Sequence, residues 1–185
     1  MRTGGDEGTA EPGAWLGRLL ADEEARSRAR ARWLAHQAAA EGTFAGVLAD
    51  LAERDRPIAV QLANGRIHHG TIAVLGADLV VLRPASGRDV LLQLAAVTSV
   101  RTVPGETPTV GDRHVVRELT FADALGALAI EGARVLVVAG PDVPAISGEV
   151  RAVGRDVVSV RLDGGGGTAY VALASVAEVS LLESG

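Results

Sequence analysis

Few side chains in this 185-residue chain could do covalent chemistry. It has no cysteine, which excludes disulfides, thiolate metal sites and a thiol nucleophile. The most conspicuous polar pair is His68-His69. Adjacent residues of a strand point to opposite faces, so the two imidazoles are poorly placed to share one metal ion. His68 reads as a partly buried strand residue and His69 as a solvent-facing one, and neither reads as a metal ligand. Residues 164–167 are four consecutive glycines. A phosphate-binding loop places its glycines between a strand and a helix, with Lys and Ser/Thr following. These lie between two strand-like stretches in a chain without lysine, so they read as a hairpin turn. Asp78 and Asp156 occupy equivalent turns, Gly76-Ala77-Asp78 and Gly154-Arg155-Asp156. Carboxylates so placed are expected to bond the local backbone, and they fall in separate units, too far apart to work as an acid/base pair. No Gly-x-Ser-x-Gly motif is present. These residues point to no catalysis, no metal and no cofactor.

Charge gives the next candidates. The formal net charge is -5, and every basic residue other than histidine is Arg. Residues 44–102 hold six Arg against five acids, whereas residues 121–183 hold four against eight. Arg66, Arg83 and Arg88, with His69, are therefore the candidate nucleic-acid contacts, and Arg101 adds to the same basic half. Phosphate affinity rests on clustered positive charge, and base stacking rests on aromatic rings. The chain is acidic overall and has only five aromatic residues, Trp15, Trp33, Phe44, Phe121 and Tyr170. Both facts weigh against RNA or DNA as the main ligand.

The elements that hold these residues can be read in order. Residues 1–13 are polar and Gly-rich, an expected disordered tail with no signal-peptide character. No apolar run approaches the roughly 20 residues that cross a bilayer, and a cysteine-free chain fits the cytoplasm, so a cytoplasmic protein is expected. Residues 14–42 are rich in Ala, Leu, Arg and Glu and read as one helix. Trp15, Leu19 and Trp33 lie along a narrow apolar face of it and are the candidate partner-binding residues. Thr43 is a suitable N-cap for a second helix, with Phe44, Leu48 and Leu51 at the spacing of a buried face. Five strand-like pieces follow in residues 58–102, with Asn64-Gly65 as a hairpin signal and Gly70 where a strand must bend. Residues 103–119 form a linker, with an extra short strand expected at 114–117. Thr120 then caps a third helix, with Asp123 completing a capping box.

The plan recurs from there. Phe121, Leu125 and Leu128 lie 77 residues after Phe44, Leu48 and Leu51. Gly148, Gly154 and Asp156 lie 78 after Gly70, Gly76 and Asp78, and Leu173, Val176 and Val179 lie 79 after Leu94, Val97 and Val100. A shift that grows by one across each of two turns is the trace of a duplication with loop insertions. One helix and five short strands occur twice, in residues 43–102 and 120–183. Gly70, Gly76 and Asp78, with Gly148, Gly154 and Asp156, are its structural turn residues.

A short helix followed by five bent strands resembles the Sm-like (LSm, Hfq-like) small barrel. The stretch I-A-V-Q-L-A-N-G-R-I-H-H-G-T-I-A-V-L-G-A-D-L-V-V-L, residues 58–82, is similar to the first Sm motif, and V-L-L-Q-L-A-A-V-T-S-V, residues 90–100, to the second as the bacterial branch writes it. The layout is also similar to a functionally unassigned group of actinobacterial proteins. The resemblance implies a mainly β fold with helices: an N-terminal helix, then two tandem five-stranded Sm-like or SH3-like barrels, each preceded by a short helix. It does not bring the family's RNA contacts. Leu79-Val80-Val81 stands where a base-holding Asn belongs, and residues 93–96 and 171–175 lack the basic residues of the second motif. Sm-like folds cover their edge strands by pairing the fourth strand of one copy with the fifth of the next. The expectation is a non-catalytic binding or scaffolding protein whose barrels pair through their edges within the chain or between chains, giving a dimer or a ring of pseudo-repeats. RNA binding by the first barrel and a protein partner on the N-terminal helix are the alternatives.

Overall fold

The structure is a computed structural model that describes residues 14–105, 109, 111, 118–140 and 142–183. The expected disordered tail and the expected strand at 114–117 lie outside the described residues. The chain divides into two compact units, Met1–Glu41 and Gly42–Gly185. The described residues of the first form helix α1 (Ala14–Glu41), whose described side chains are all exposed. No described helix is long and apolar enough to cross a membrane.

The second unit begins with α2 (Phe44–Arg54). Thr43 caps it, its Oγ1 accepting from Gly46 N–H at 3.0 Å, and Asp55 ends it in the left-handed conformation. Strands β1 (Ile58–Leu62), β2 (Ile67–Leu75), β3 (Leu79–Arg83), β4 (Val90–Gln93) and β5 (Val97–Arg101) follow. Helix α3 (Phe121–Glu131) opens the second half, with β6 (Arg134–Val138), β7 (Ile146–Val153), β8 (Val157–Leu162), β9 (Thr168–Ala172) and β10 (Glu178–Leu181) after it. The capping box on α3 is formed. Asp123 N–H donates to Thr120 Oγ1 at 3.1 Å, and the Asp123 carboxylate accepts from the Thr120 hydroxyl and backbone N–H at 2.6 and 3.0 Å. The Thr120 hydroxyl, and then its N–H, hold the Asp123 carboxyl below the usual range. The resulting stabilisation is full above the ordinary carboxylate range and is lost as pH falls through the lowered value.

All ten strands belong to one antiparallel sheet, ordered β5-β1-β2-β3-β4-β10-β6-β7-β8-β9. The halves repeat each other in register. Leu79 faces Gln93 across β3 and β4, and Val157 faces Ala172 across β8 and β9, the same pair after shifts of 78 and 79. The two barrels expected from the sequence are therefore two halves of one sheet, and that sheet is not closed. The free side of β4 is taken by β10, so hydrogen bonding runs on into the second half.

Two apolar cores lie under this sheet. Leu48 and Leu51 of α2 pack with Ile58, Val60, Val80 and Leu92, and Phe121 and Leu125 of α3 pack with Val135, Val137, Val158 and Val179. Each such side chain contributes about 1.5–3 kcal/mol when fully buried. Side chains alternate faces along a strand, so Val80 and Leu92 serve the first core while Leu79 and Leu91 cross to the second.

Gly70 and Gly148 are dictated by crowding. A Cβ at Gly70 would lie 2.4 Å from Arg83 O, and one at Gly148 would lie 2.1 Å from Arg161 O. Gly126 in α3 has nothing within 4 Å of the same atom. Gly148→Ala is expected to cost about 1–3 kcal/mol through overpacking against backbone. Gly126→Ala is expected to stabilise by about 0.5–1 kcal/mol through helix propensity. Urea denaturation of the two variants, side by side, checks both signs.

Candidate assembly interface

The second unit has one internal seam, where β4 meets β10. Leu92, Leu91 and Val90 pair with Glu178, Val179 and Ser180. Gln93 N–H donates to Ala177 O at 3.0 Å and carries the pairing past the strand end. The Asn64 side chain also spans the halves, donating to Ala139 O at 3.4 Å while its own oxygen accepts from Arg66 N–H at 3.1 Å.

Glu178 is the one fully buried charged side chain among the described residues, with 0% exposure. Its Oε2 meets His68 Nε2 in a short contact, and its Oε1 lies 2.8 Å from Arg66 Nε. That second approach is close, yet Oε1 has no aligned hydrogen bond, so Arg66 acts on it as a nearby charge. A buried carboxylate is costly unless opposite charge meets it, and a guanidinium stays charged throughout. The cluster joins residues of β10 and the β1–β2 hairpin that are about 110 positions apart in the chain. It works as a staple between the halves.

The second contact across the seam is made by the first Gly-x-Asp turn. Asp78 Oδ1 accepts from Phe121 N–H at 2.6 Å, and Ala77 N–H donates to Leu119 O at 2.9 Å. The expectation that Asp78 bonds its local backbone is corrected here, because its carboxylate caps a helix 43 residues away. The first N–H groups of a helix lack partners within the helix, and a negative charge suits that end of its dipole. Gly76 is required at this point, since a Cβ there would lie 2.2 Å from Leu119 O. Phe121 is 2% exposed and packs in one cluster with Leu79, Leu91 and Val179. The Asp156 carboxylate has no such partner among the described residues. Only its backbone oxygen is engaged, by Leu173 N–H at 2.8 Å.

The arginines proposed from sequence are not gathered into a free patch. Arg66 faces Glu178, and Arg83 makes a two-pronged pair with Asp89 at 2.8 Å on each prong. Hydrogen bonding and charge from Asp89 raise the Arg83 pKa above its ordinary value. Arg88 pairs with Glu183 across the seam. His69 is exposed and lines a groove of about 330 Å³ with Arg83, Pro57 and Pro84. Trp15, Leu19 and Trp33 are exposed along α1. No group of three His, Asp or Glu residues that could hold a metal ion is found among the described residues.

Sequence reasoning passed over Glu178. Its signal was a single charge set in the apolar run Val176-Ala177-Glu178-Val179, where its counterpart 79 residues earlier is Ser99. Arg66→Ala leaves the buried carboxylate with His68 alone and is expected to destabilise the fold by about 1–3 kcal/mol. In a Glu178→Gln background the same change should cost less, with a coupling of at least about 0.5 kcal/mol. A double-mutant cycle by chemical denaturation measures it, and additive losses would remove the staple.

No protein-family model matches the chain, and no curated protein matches it, so the role of the seam rests on its geometry.

Proposed function

We propose that this is a non-catalytic assembly protein, built as two tandem Sm-like halves of one open sheet, that associates with copies of itself through its edge strands. One observation carries the reading. Within the chain, the fourth strand of the first half pairs with the fifth strand of the second, which leaves the fifth of the first, β5, and the fourth of the second, β9, at the two ends of the sheet. Those ends are the two halves of the same kind of joint. Exposed edge strands present unpaired backbone groups and attract further strands unless they are blunted. β5 and β9 contain no proline and a single charge, Arg101.

RNA binding by the first barrel is less supported. Arg66, Arg83 and Arg88 each face a carboxylate, which cancels much of the field that would draw phosphate. The reading needs no cofactor and no metal.

Sedimentation of the full chain is expected to show concentration-dependent mass increase in the micromolar range, typical of interfaces of modest affinity (about 1 µM corresponds to 8 kcal/mol). Nuclease treatment and added single-stranded RNA should leave that mass unchanged. The triple change Trp15→Ala, Leu19→Ala and Trp33→Ala should also leave it unchanged. A monodisperse monomer at every concentration would sink the proposal, and loss of association in the triple variant would move the interface to α1.

A further inference from the structure

The internal seam is a template, and its two sides recur at the ends of the sheet with one partner missing from each. On one side of the seam stand the turn of residues 76–78 with Leu79 and Leu91. On the other stand the start of α3, with Leu119 and Phe121, and β10 with Val179. The repeat shifts carry the first set onto Gly154, Asp156, Val157 and Tyr170, and the second onto Gly42, Phe44 and Val100.

The burial of each counterpart changes in one direction. Leu91 is 5% exposed, and Tyr170 in its place is 76% exposed. Phe121 is 2% exposed, and Phe44 in its place is 42% exposed. Leu79 and Val179 are buried, whereas Val157 and Val100 are only half-buried. Gly76 is forced by the close backbone of Leu119, but a Cβ on Gly154 would meet only the Val157 side chain at 3.1 Å and its oxygen at 3.7 Å. Nothing among the described residues comes near enough to Gly154 to require a glycine as Leu119 requires Gly76. The Asp156 carboxylate is likewise without the helix N–H that Asp78 holds.

From this we infer that the turn Gly154-Arg155-Asp156 is a socket for the start of helix α2, residues 42–44, of a second copy of this chain, docked beside a strand pair between β9 and the second copy's β5. The inference rests on the edge-strand reading above and adds to it a second contact, a polarity and a register. The seam pairs Leu92 with Glu178 and Leu91 with Val179. The same shifts pair Val171 with Ser99, and Tyr170 with Val100, of the second copy. Asp156 then accepts from Phe44 N–H, and Arg155 N–H donates to Gly42 O, as Asp78 and Ala77 do inside the chain. Phe44, Val100, Val157 and Tyr170 together replace Phe121, Val179, Leu79 and Leu91. The contact is head-to-tail, since the two surfaces differ, and such contacts generate rings or open chains of copies according to whether the rotation closes.

The joint between copies lacks the ion staple. Ser99 stands where Glu178 is, and Pro144 and Ile146 stand where Arg66 and His68 are. It therefore lacks a fully buried carboxylate to fix its register, and, being a joint between separate chains, it comes apart on dilution while the internal seam does not.

The test uses the full chain and five variants. Phe44 and Tyr170 are exposed, so Phe44→Glu and Tyr170→Glu keep the fold, which unchanged urea midpoints verify. Each is expected to weaken self-association at least about tenfold, because a carboxylate is then buried without a partner. Asp156→Ala, at the same socket, is expected to weaken it several-fold. The chain has no native cysteine, so paired cysteines report register cleanly. Val100→Cys with Tyr170→Cys should give intermolecular disulfide ladders on oxidation. Val100→Cys with Ala169→Cys, one position off and facing the opposite side of the sheet, should not. If the unaltered chain associates while the Glu and Ala variants associate equally well and the off-register pair crosslinks as readily, the socket is wrong and the edge-strand reading stands. If the unaltered chain never associates, both fall.

Discussion

Every open sheet ends in two rows of backbone N–H and C=O groups that only another strand can satisfy in the plane of the sheet. The order β5-β1-β2-β3-β4-β10-β6-β7-β8-β9 is the outcome of that constraint acting on a duplicated unit. Each half alone would have two such ends. Joining β4 to β10 removes one from each. The rest of the seam follows from one register, with Val179 opposite Leu91. It turns Leu79 and Leu91 toward the core under α3, brings the start of α3 onto Asp78, and encloses Glu178.

Burying Glu178 is not in itself favourable, and apolar residues of similar volume often hold such a position as well or better. What the carboxylate adds is selectivity of register. A one-residue slip of β10 along β4 would turn its side chains to the opposite face. Glu178 would then leave Arg66 and His68 and keep its desolvation cost without the guanidinium charge and the imidazole contact. The apolar partners tolerate such errors far better, since Leu, Val and Ile substitute for one another with modest penalties. Packing therefore supplies most of the energy of the seam, and the ion contacts raise the energy of its misaligned forms.

The elements were legible in the sequence because their signals are local. Thr43 and Thr120 stand before periodic apolar runs, and Asn64-Gly65 marks a turn in which Gly65 has φ 83°. The duplication was legible too, down to shifts that reappear in the strand registers. The continuity of the sheet was legible only through the resemblance, which pairs a fourth strand with a fifth within or between chains, because a strand pair across some 90 residues leaves no mark in either strand's own pattern. The fate of the arginines was hidden for the same reason. Composition counts charges but does not say that Arg66 reaches Glu178, 112 positions on, or that Arg88 reaches Glu183. Asp78 looked like a local turn residue because its partner lies beyond a linker. Asp156, with the same neighbours in sequence, has no partner of that kind among the described residues.

That contrast bears on how copies would add together. Two different edges, β5 and β9, permit three strand pairings between chains. Joining β5 to β5, or β9 to β9, is two-fold symmetric and stops at a dimer with the other edge still open. Neither pairing brings a turn of residues 154–156 to the start of α2, since each puts like against like. Only β9 with β5 repeats the internal joint, and only that pairing offers Asp156 a helix start and covers Phe44 and Tyr170 together. On the proposed reading such an assembly grows by two halves at a time, with stapled and unstapled joints in alternation. The chain itself is then the unit that dissociates, because the joint within it is tethered and the joint between copies is not, and Ser99 leaves the latter without the register check that Glu178, Arg66 and His68 supply.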